Sequence, residues 1–348
     1  MTDRPWLKSY PEGVPADLPP SPYTSLVQLM EESFRQYADR TAYSFMGKDL
    51  TFGETDRLSR AFAAYLQSLG LAQGDRVAIM MPNVPQYPVV VAAILRAGYV
   101  VVNVNPLYTA RELEHQLKDS GSKAIVIIEN FAATLEKCIA ATPVQHVVLC
   151  AMGDRLGVLK GALVNFVVRK VKKLVPPFQL PQAVRFNDAI IQGERGALRQ
   201  PEINADDVAV LQYTGGTTGV SKGAVLLHRN VIVNLLQSQL WNEPAMKKIP
   251  AGEQSTGICA LPLYHIFAFT VNFFGAFVKG CENILVPSPR PLANLAKPFA
   301  VGRPTFLTGV NTLFNGLLNE PWFRDAPPKS LRKSVAGGMA LQSAVAER

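Results

Sequence analysis

The run Tyr213–Gly223 reads Tyr-Thr-Gly-Gly-Thr-Thr-Gly-Val-Ser-Lys-Gly, and its residue types suit one task, holding a polyphosphate. Gly215, Gly216 and Gly219 allow positive φ and let backbone N–H groups converge on an anion. Thr214, Thr217, Thr218 and Ser221 add hydroxyl donors, and Lys222 adds a fixed positive charge. The run differs from a Walker A loop, which places Gly directly before Lys, Ser or Thr directly after it, and a helix next. Here Lys222 stands between Ser221 and Gly223, and the flanking apolar runs Val208–Leu211 and Ala224–Leu227 read as strands. The helix dipole therefore contributes little, and the loop is expected to move more than a P-loop. A hairpin turn without a ligand is the plain alternative, yet reversing the chain needs no such density of Gly and Thr.

Two further stretches carry candidate chemistry. In Leu261–Thr270, His265 follows Tyr264 at the start of an expected helix. It either faces a reacting group or packs at the helix start, bonded to backbone. Phe267, Phe269, Val271, Phe273, Phe274 and Phe277 surround that helix with apolar bulk, which for most of them means ordinary burial. After Val335, Gly337 and Gly338 permit close backbone approach, or simply make a turn. Met339 beside them, and Val310 and Thr312, are weaker pocket candidates.

The elements that must position these groups follow an α/β rhythm. Ser25 starts a helix, with Gln28 placed for a capping box, and a second helix runs from about Glu54 to Ser68. Apolar strands are expected at Val77–Met81, Tyr99–Val104 and Ala124–Ile128, separated by helices that open at Pro85 and at Thr109. Strands apolar on both faces and alternating with helices predict a mostly parallel sheet covered on both sides. No Gly-x-Gly-x-x-Gly follows Met81, so a Rossmann dinucleotide site is unsupported. Leu163–Val175 reads as a basic amphipathic helix, with Val164, Val167, Val168, Val171 and Val175 on one side and Arg169, Lys170, Lys172 and Lys173 on the other. It suits either a solvated helix docked by its valines or contact with an anionic membrane surface. A Pro- and Gly-rich connection from Pro176 to Asp207 divides an expected first α/β lobe, 1–200, from a second, 201–348.

Composition narrows the class. At 348 residues, with 48% hydrophobic and 18% charged residues, the chain is globular and long enough for two packed lobes. Its net charge of +8 suits polyanionic ligands or an anionic surface. No nucleic-acid motif accompanies that charge, and no nucleic-acid partner is expected. Cys138, Cys150, Cys259 and Cys281 match no zinc or disulfide pattern, which points to a reducing, cytoplasmic setting. The N-terminal region lacks the apolar core of a signal peptide, and no run reaches the ~20 apolar residues of a membrane span.

Taken together, the loop, Leu261–Thr270, Thr308–Leu313 (Thr-Gly-Val-Asn-Thr-Leu) and Ala336–Gln342 (Ala-Gly-Gly-Met-Ala-Leu-Gln) resemble the adenylate-forming superfamily. That superfamily includes acyl-CoA synthetases, firefly-type luciferases and the adenylation domains of peptide synthetases. Weaker echoes begin at Tyr43 and include Asn103–Leu113. Outside the loop the match is nearest to bacterial long-chain fatty acyl-CoA synthetases.

The resemblance implies the large N-terminal domain of that fold, with two mostly parallel β-sheets flanked by helices. It also implies ATP, Mg2+ and CoA as reactants with a long-chain fatty acid. Thr214, Gly215, Gly216, Thr217, Thr218, Gly219 and Lys222 would hold the ATP phosphates. His265 would lie near the carboxylate and α-phosphate, and Gly337, Gly338, Met339 and Val310 would border the adenine and acyl chain. The family's later Tyr-Gly-x-Thr-Glu element, whose Glu holds Mg2+, is not matched. The ribose-binding Asp and the C-terminal lobe with its lysine are not matched either. No metal ligand is therefore expected within these residues, which read as a truncated N-terminal portion unable to turn over alone. Aryl-CoA, acyl carrier protein and acyl-AMP ligases remain open, as do a non-catalytic nucleotide- or acyl-binding module, a peripheral membrane protein at the inner face, and an oligomer.

Overall fold

Short apolar runs bounded by glycines and capped helices give two sheets. The computed structural model describes residues 4–214, 221–247, 249–250 and 252–348. Seven strands form the first sheet, in the order β7 (Val184–Arg185), β6 (His146–Cys150), β5 (Ala124–Ile128), β3 (Arg76–Met80), β4 (Val100–Asn103), β8 (Val208–Thr214) and β9 (Lys222–Leu227). Six form the second, in the order β13 (Lys333–Ala336), β12 (Phe306–Gly309), β10 (Thr256–Cys259), β11 (Glu282–Leu285), β1 (Thr41–Phe45) and β2 (Lys48–Thr51). Every pairing is parallel except β8–β9 and β1–β2. The two mostly parallel sheets flanked by helices match the expected class.

The expected division near residue 200 does not coincide with the sheets. β8 and β9 lie beyond it yet pair into the first sheet, while β1 and β2 lie before it yet pair into the second. Sequence order marks the proline-rich connection, whereas strand pairing follows where each apolar edge finds a partner.

Helix ends show the local causes. Helix α1 (Leu26–Gln36) is capped by Ser25, whose hydroxyl accepts the Gln28 N–H at 3.1 Å. The Gln28 side chain accepts from the Thr24 N–H at 2.8 Å, so the reciprocal half of the box closes one residue early. The Leu26 N–H, otherwise an orphan of the first turn, donates to His228 Nδ1 at 3.1 Å. Helix α2 (Phe52–Ser68) begins before the expected Glu54 because Thr51 and Glu54 form a complete capping box. All residues of α3 (Gln86–Arg96) are buried. At its end the Arg96 guanidinium, 0% exposed, pairs with Glu31 of α1 at 2.8 Å and with Asp56 of α2, and lies over the Phe34 ring. Thr109 caps α4 (Ala110–Ser120) as expected, in a capping box with Glu112.

After α5 (Ala132–Glu136), the basic stretch forms α6 (Val158–Phe166), which continues helically through Val167–Val171. Its expected polarity is only partly kept. Val168 is buried, but Val171 is exposed along with Leu163, Phe166 and Leu174, and Val158 and Leu159 are 88% and 87% exposed. Arg169 is not a free cation, because it makes two bonds of 2.8 and 2.9 Å to the buried Glu129 carboxylate. Lys170, Lys172 and Lys173 stay exposed. Among the described residues no helix is long and apolar enough to cross a membrane.

Candidate functional site

The residues expected to hold phosphate connect β8 to β9 in the chain. Thr214 ends β8 and is the registered partner of Lys222, which opens β9, and both are exposed. Gly215, Gly216, Thr217, Thr218 and Gly219 lie outside the described residues. The base of the hairpin is fastened. Ser221 Oγ donates to the Thr214 carbonyl at 3.1 Å. His115 Nε2, from α4, donates to the Ser221 carbonyl at 3.1 Å. Tyr213 Oη donates to Asp119 Oδ2 at 2.5 Å, and burial pushes the Tyr213 phenol well above its ordinary range. Two anchors on one helix thus fix where the loop starts and ends. Sequence reading did not single out His115 or Asp119, since a lone His and Asp on a polar helix face carry no signal.

His265 sits beyond β10. It caps the helical run made of the contiguous segments Ile266–Ala268, Phe269–Phe274 and Gly275–Lys279, here called α9 after α7 (Phe186–Glu194) and α8 (His228–Met246). Its Nδ1 accepts the Phe267 N–H at 3.4 Å. That fixes the neutral tautomer with the proton on Nε2, leaving a donor at an exposed position. The ring has accessible surface, but the protein around it still removes enough water to lower its pKa. The backbone-bonded and functional readings of His265 are therefore compatible, because they use different nitrogens.

A buried amide network joins these two regions. Gln212, two residues before Thr214, donates to the Tyr264 carbonyl at 3.1 Å, next to His265. Its Oε1 accepts from Asn103 Nδ2 at 3.2 Å, and Asn103 Oδ1 accepts from Tyr87 Oη at 2.7 Å. Tyr87 Oη also reaches the Leu263 carbonyl at 2.8 Å. Asn83 holds the same loop three times: its Nδ2 donates to the carbonyls of Cys259 (2.9 Å) and Leu261 (2.8 Å), and its Oδ1 accepts from the Leu263 N–H (2.8 Å). Satisfied polar groups in a dry interior rigidify the backbone they bind, so the first sheet positions the loop that carries His265.

Gly337 and Gly338 follow β13, and Val310 follows β12. The Gly337 N–H donates to the Gly309 carbonyl at 3.1 Å. A Cβ on Gly337 would come within 2.7 Å of the Phe267 ring, so a larger residue there would require that ring to move. Gly338 has φ +77°, and its Cβ position would lie 3.6 Å from Val310. His265, Val310, Gly337 and Gly338 thus gather at the carboxyl ends of β10, β12 and β13, where open parallel sheets bind ligands. Met339 is exposed. Among the described residues no group of three or more His, Cys, Asp and Glu could hold a metal. A cavity of about 460 Å³ lined by Arg57, Arg155 and Asn187 lies elsewhere, under α6.

The family described as AMP-binding enzyme matches residues 30–348. The long-chain-fatty-acid–CoA ligase of Salmonella typhimurium is 52% identical over 344 residues, covering 99% of this chain and 61% of that protein. The ligase of the same description from Haemophilus influenzae is 49% identical, with coverage of 99% and 61%. A solved structure of a long-chain-fatty-acid-CoA ligase from Archaeoglobus fulgidus superposes with a TM-score of 0.76 at 21% identity, over 97% of this chain and 62% of that one. The chain therefore spans about three-fifths of the length of the curated relatives it matches.

Proposed function

Because the chain belongs to the AMP-binding enzyme family, we propose that it forms the substrate-activating part of an AMP-forming acyl-CoA ligase acting on long-chain fatty acids. A carboxylate is a poor acyl donor. Its oxygen attacks the α-phosphorus of ATP, the bond to the β-phosphate oxygen breaks, and pyrophosphate leaves. The CoA thiol then attacks the acyl carbon and expels AMP. Thr214, Lys222 and the residues between them hold the β- and γ-phosphates and offset charge on the leaving pyrophosphate. His265 Nε2–H faces the oxygens of the carboxylate and α-phosphate. Gly337, Gly338, Met339 and Val310 border the adenine and the head of the acyl chain. Mg2+ would accompany the triphosphate, but the described residues offer no ligand set for it, and no step is assigned to it.

The observation that supports this reading is the amide link from Gln212 to Tyr264, which couples the strand leading into the phosphate loop to the residue preceding His265. The test uses a protein of the relatives' full length that contains these residues. ATP, Mg2+ and palmitate should release pyrophosphate, and CoA should yield palmitoyl-CoA and AMP. Turnover only with benzoate-type acids would favour an aryl ligase. Nucleotide binding without pyrophosphate release would favour a binding module.

A second reading, docking on an anionic membrane face, is supported by the outer side of α6. Val158, Leu159, Leu163 and Phe166 are exposed there beside Lys170, Lys172 and Lys173, and apolar residues flanked by cations suit an interface of alkyl chains and anionic headgroups.

A further inference from the structure

The cavity of about 460 Å³ beneath the first turns of α6 is walled by the loop after β6, by α2 and by α7. Backbone contact sets its position. An added Cβ on Gly153 would lie 2.3 Å from the Gly161 carbonyl, and one on Gly161 would lie 2.4 Å from the Gly153 carbonyl. The Gly153 N–H also donates to Asn165 Oδ1 at 2.7 Å. Two glycines thus let α6 cross the loop backbone to backbone, and the cavity opens beside that crossing. The edge where His265 and Gly337 gather takes no part in its walls.

Two polar groups in these walls lack partners. Arg155 Nε is buried with no hydrogen-bond partner among the described residues, and its guanidinium forms no ion pair there. Burial, and then the like charge of Arg57, lower its pKa. An anion in the cavity would offset both. Asn187 Nδ2 donates to the Asp154 carbonyl at 3.4 Å, while Asn187 Oδ1 is buried without a partner and can accept from a donor in the cavity. Buried groups left unpaired are costly. The acidic groups in the walls are already engaged. Glu194 pairs with Arg57, and Asp154 Oδ2 accepts the Ala151 N–H at 2.7 Å.

The mouth is apolar. Val158 and Ala162, about one turn apart on α6, and Ile191 on α7 line the cavity and are exposed. Leu159, Leu163 and Phe166 continue the exposed apolar surface along the helix, and Lys170, Lys172 and Lys173 follow them. A ligand entering here meets apolar surface first, then a guanidinium and an amide oxygen. That order suits an anionic amphiphile whose head is inserted and whose alkyl chains stay outside.

We propose that this cavity seats the headgroup of an anionic glycerophospholipid. The phosphodiester accepts from Arg155, a headgroup hydroxyl donates to Asn187 Oδ1, and the alkyl chains lie against Val158, Ala162 and Ile191. The proposal rests on the reading of α6 as a membrane-facing helix and names the lipid chemistry it selects. The volume equals roughly fifteen water-sized units, enough for a phosphate with a three-carbon head. Its test is calorimetric titration of the full chain by dihexanoyl phosphatidylglycerol below its micelle concentration. Dihexanoyl phosphatidylmethanol, which keeps the charge and lacks the hydroxyls, and glycerol 3-phosphate, which lacks the chains, are the comparisons. Phosphatidylglycerol should bind at least tenfold more tightly than either. Arg155→Met should weaken it at least tenfold without lowering the urea midpoint, since it removes an unpaired buried donor. Asn187→Ala should bring it to the level of phosphatidylmethanol. Should Arg155→Met fail to fold, Ala162→Trp, which fills the mouth from an exposed position, decides by the same tenfold loss. Equal binding of phosphatidylglycerol and phosphatidylmethanol, or unchanged affinity in Arg155→Met, overturns the proposal. Glycerol 3-phosphate binding as tightly as the lipid would assign the cavity to a free phosphate ester and overturn it as well. Failure to co-sediment with phosphatidylglycerol vesicles while the short-chain lipid still binds would leave the headgroup site standing and count against the membrane reading of α6 only.

Discussion

At the residue scale, position along a strand end decides what a charged group can do. Lys222 opens β9 at an exposed position opposite Thr214, so its cost of desolvation is small until a ligand covers it. In a protein of the relatives' full length, Lys222→Ala should slow pyrophosphate release on the order of 10²-fold, about 2.7 kcal/mol of leaving-group stabilisation. Conversion of pre-made acyl-AMP to acyl-CoA should change far less, and equal loss in both half-reactions would mean misfolding or another role. His228 is the contrasting case. It is buried, its Nδ1 accepts the Leu26 N–H, and burial lowers its pKa from 6.5 to about 4. Between those values the unfolded chain binds a proton that the folded chain does not, so stability falls as pH drops through that window. The loss should reach on the order of 3 kcal/mol by pH 4. Urea denaturation from pH 7 to pH 4 measures it, and His228→Gln should flatten this part of the decline.

At the element scale, α6 shows how a helix is oriented by one buried partner. Amphipathic spacing placed its valines inward and all four cations outward. Glu129 is buried at the end of β5, where an unpaired carboxylate would be costly, and it draws Arg169 inward. Val158, Leu159, Leu163 and Phe166 are left facing out. If this surface meets lipid, changing Lys170, Lys172 and Lys173 to Gln should reduce co-sedimentation with anionic vesicles at least tenfold, at about 1 kcal/mol per cation. Leu159→Ser with Phe166→Ser should reduce it at high salt as well. Retained binding in both variants would sink the membrane reading. Arg169→Gln should instead lower stability, because Glu129 loses its bidentate partner.

At the scale of the whole molecule, a few polar side chains add hydrogen bonds to the hydrophobic core that the two sheets share. Asn83 makes three hydrogen bonds to the Cys259–Leu263 segment, and Gln212 and Tyr87 add two more. Asn83→Ala leaves backbone groups of that segment without partners, at roughly 1–3 kcal/mol each. The expected result is a lower urea midpoint together with a fall in pyrophosphate release, since His265 follows the same segment. A variant with unchanged stability and activity would show that packing alone holds the sheets in register.

The sequence by itself determined what local chemistry can specify. Thr109 with Glu112, and the apolar run Ala124–Ile128, fixed their elements to the residue, because caps and short apolar strands depend on near neighbours. The density of Gly, Thr and Lys at 213–223 marked a candidate phosphate loop for the same reason. Tertiary structure alone decided the rest. It sent β1 and β2 to the second sheet and β8 and β9 to the first, because an unpaired strand edge takes the partner that packing brings, whatever their separation along the chain. It placed His228 over the start of α1, 202 residues away, and set His115 against the Ser221 carbonyl and Asp119 against Tyr213. It also turned Arg169 toward Glu129. In the side-chain pairings among these, a buried group (His228, Tyr213 or Glu129) meets a partner distant along the chain, where the cost of an unsatisfied group selects the partner and spacing in the sequence carries no trace of the choice.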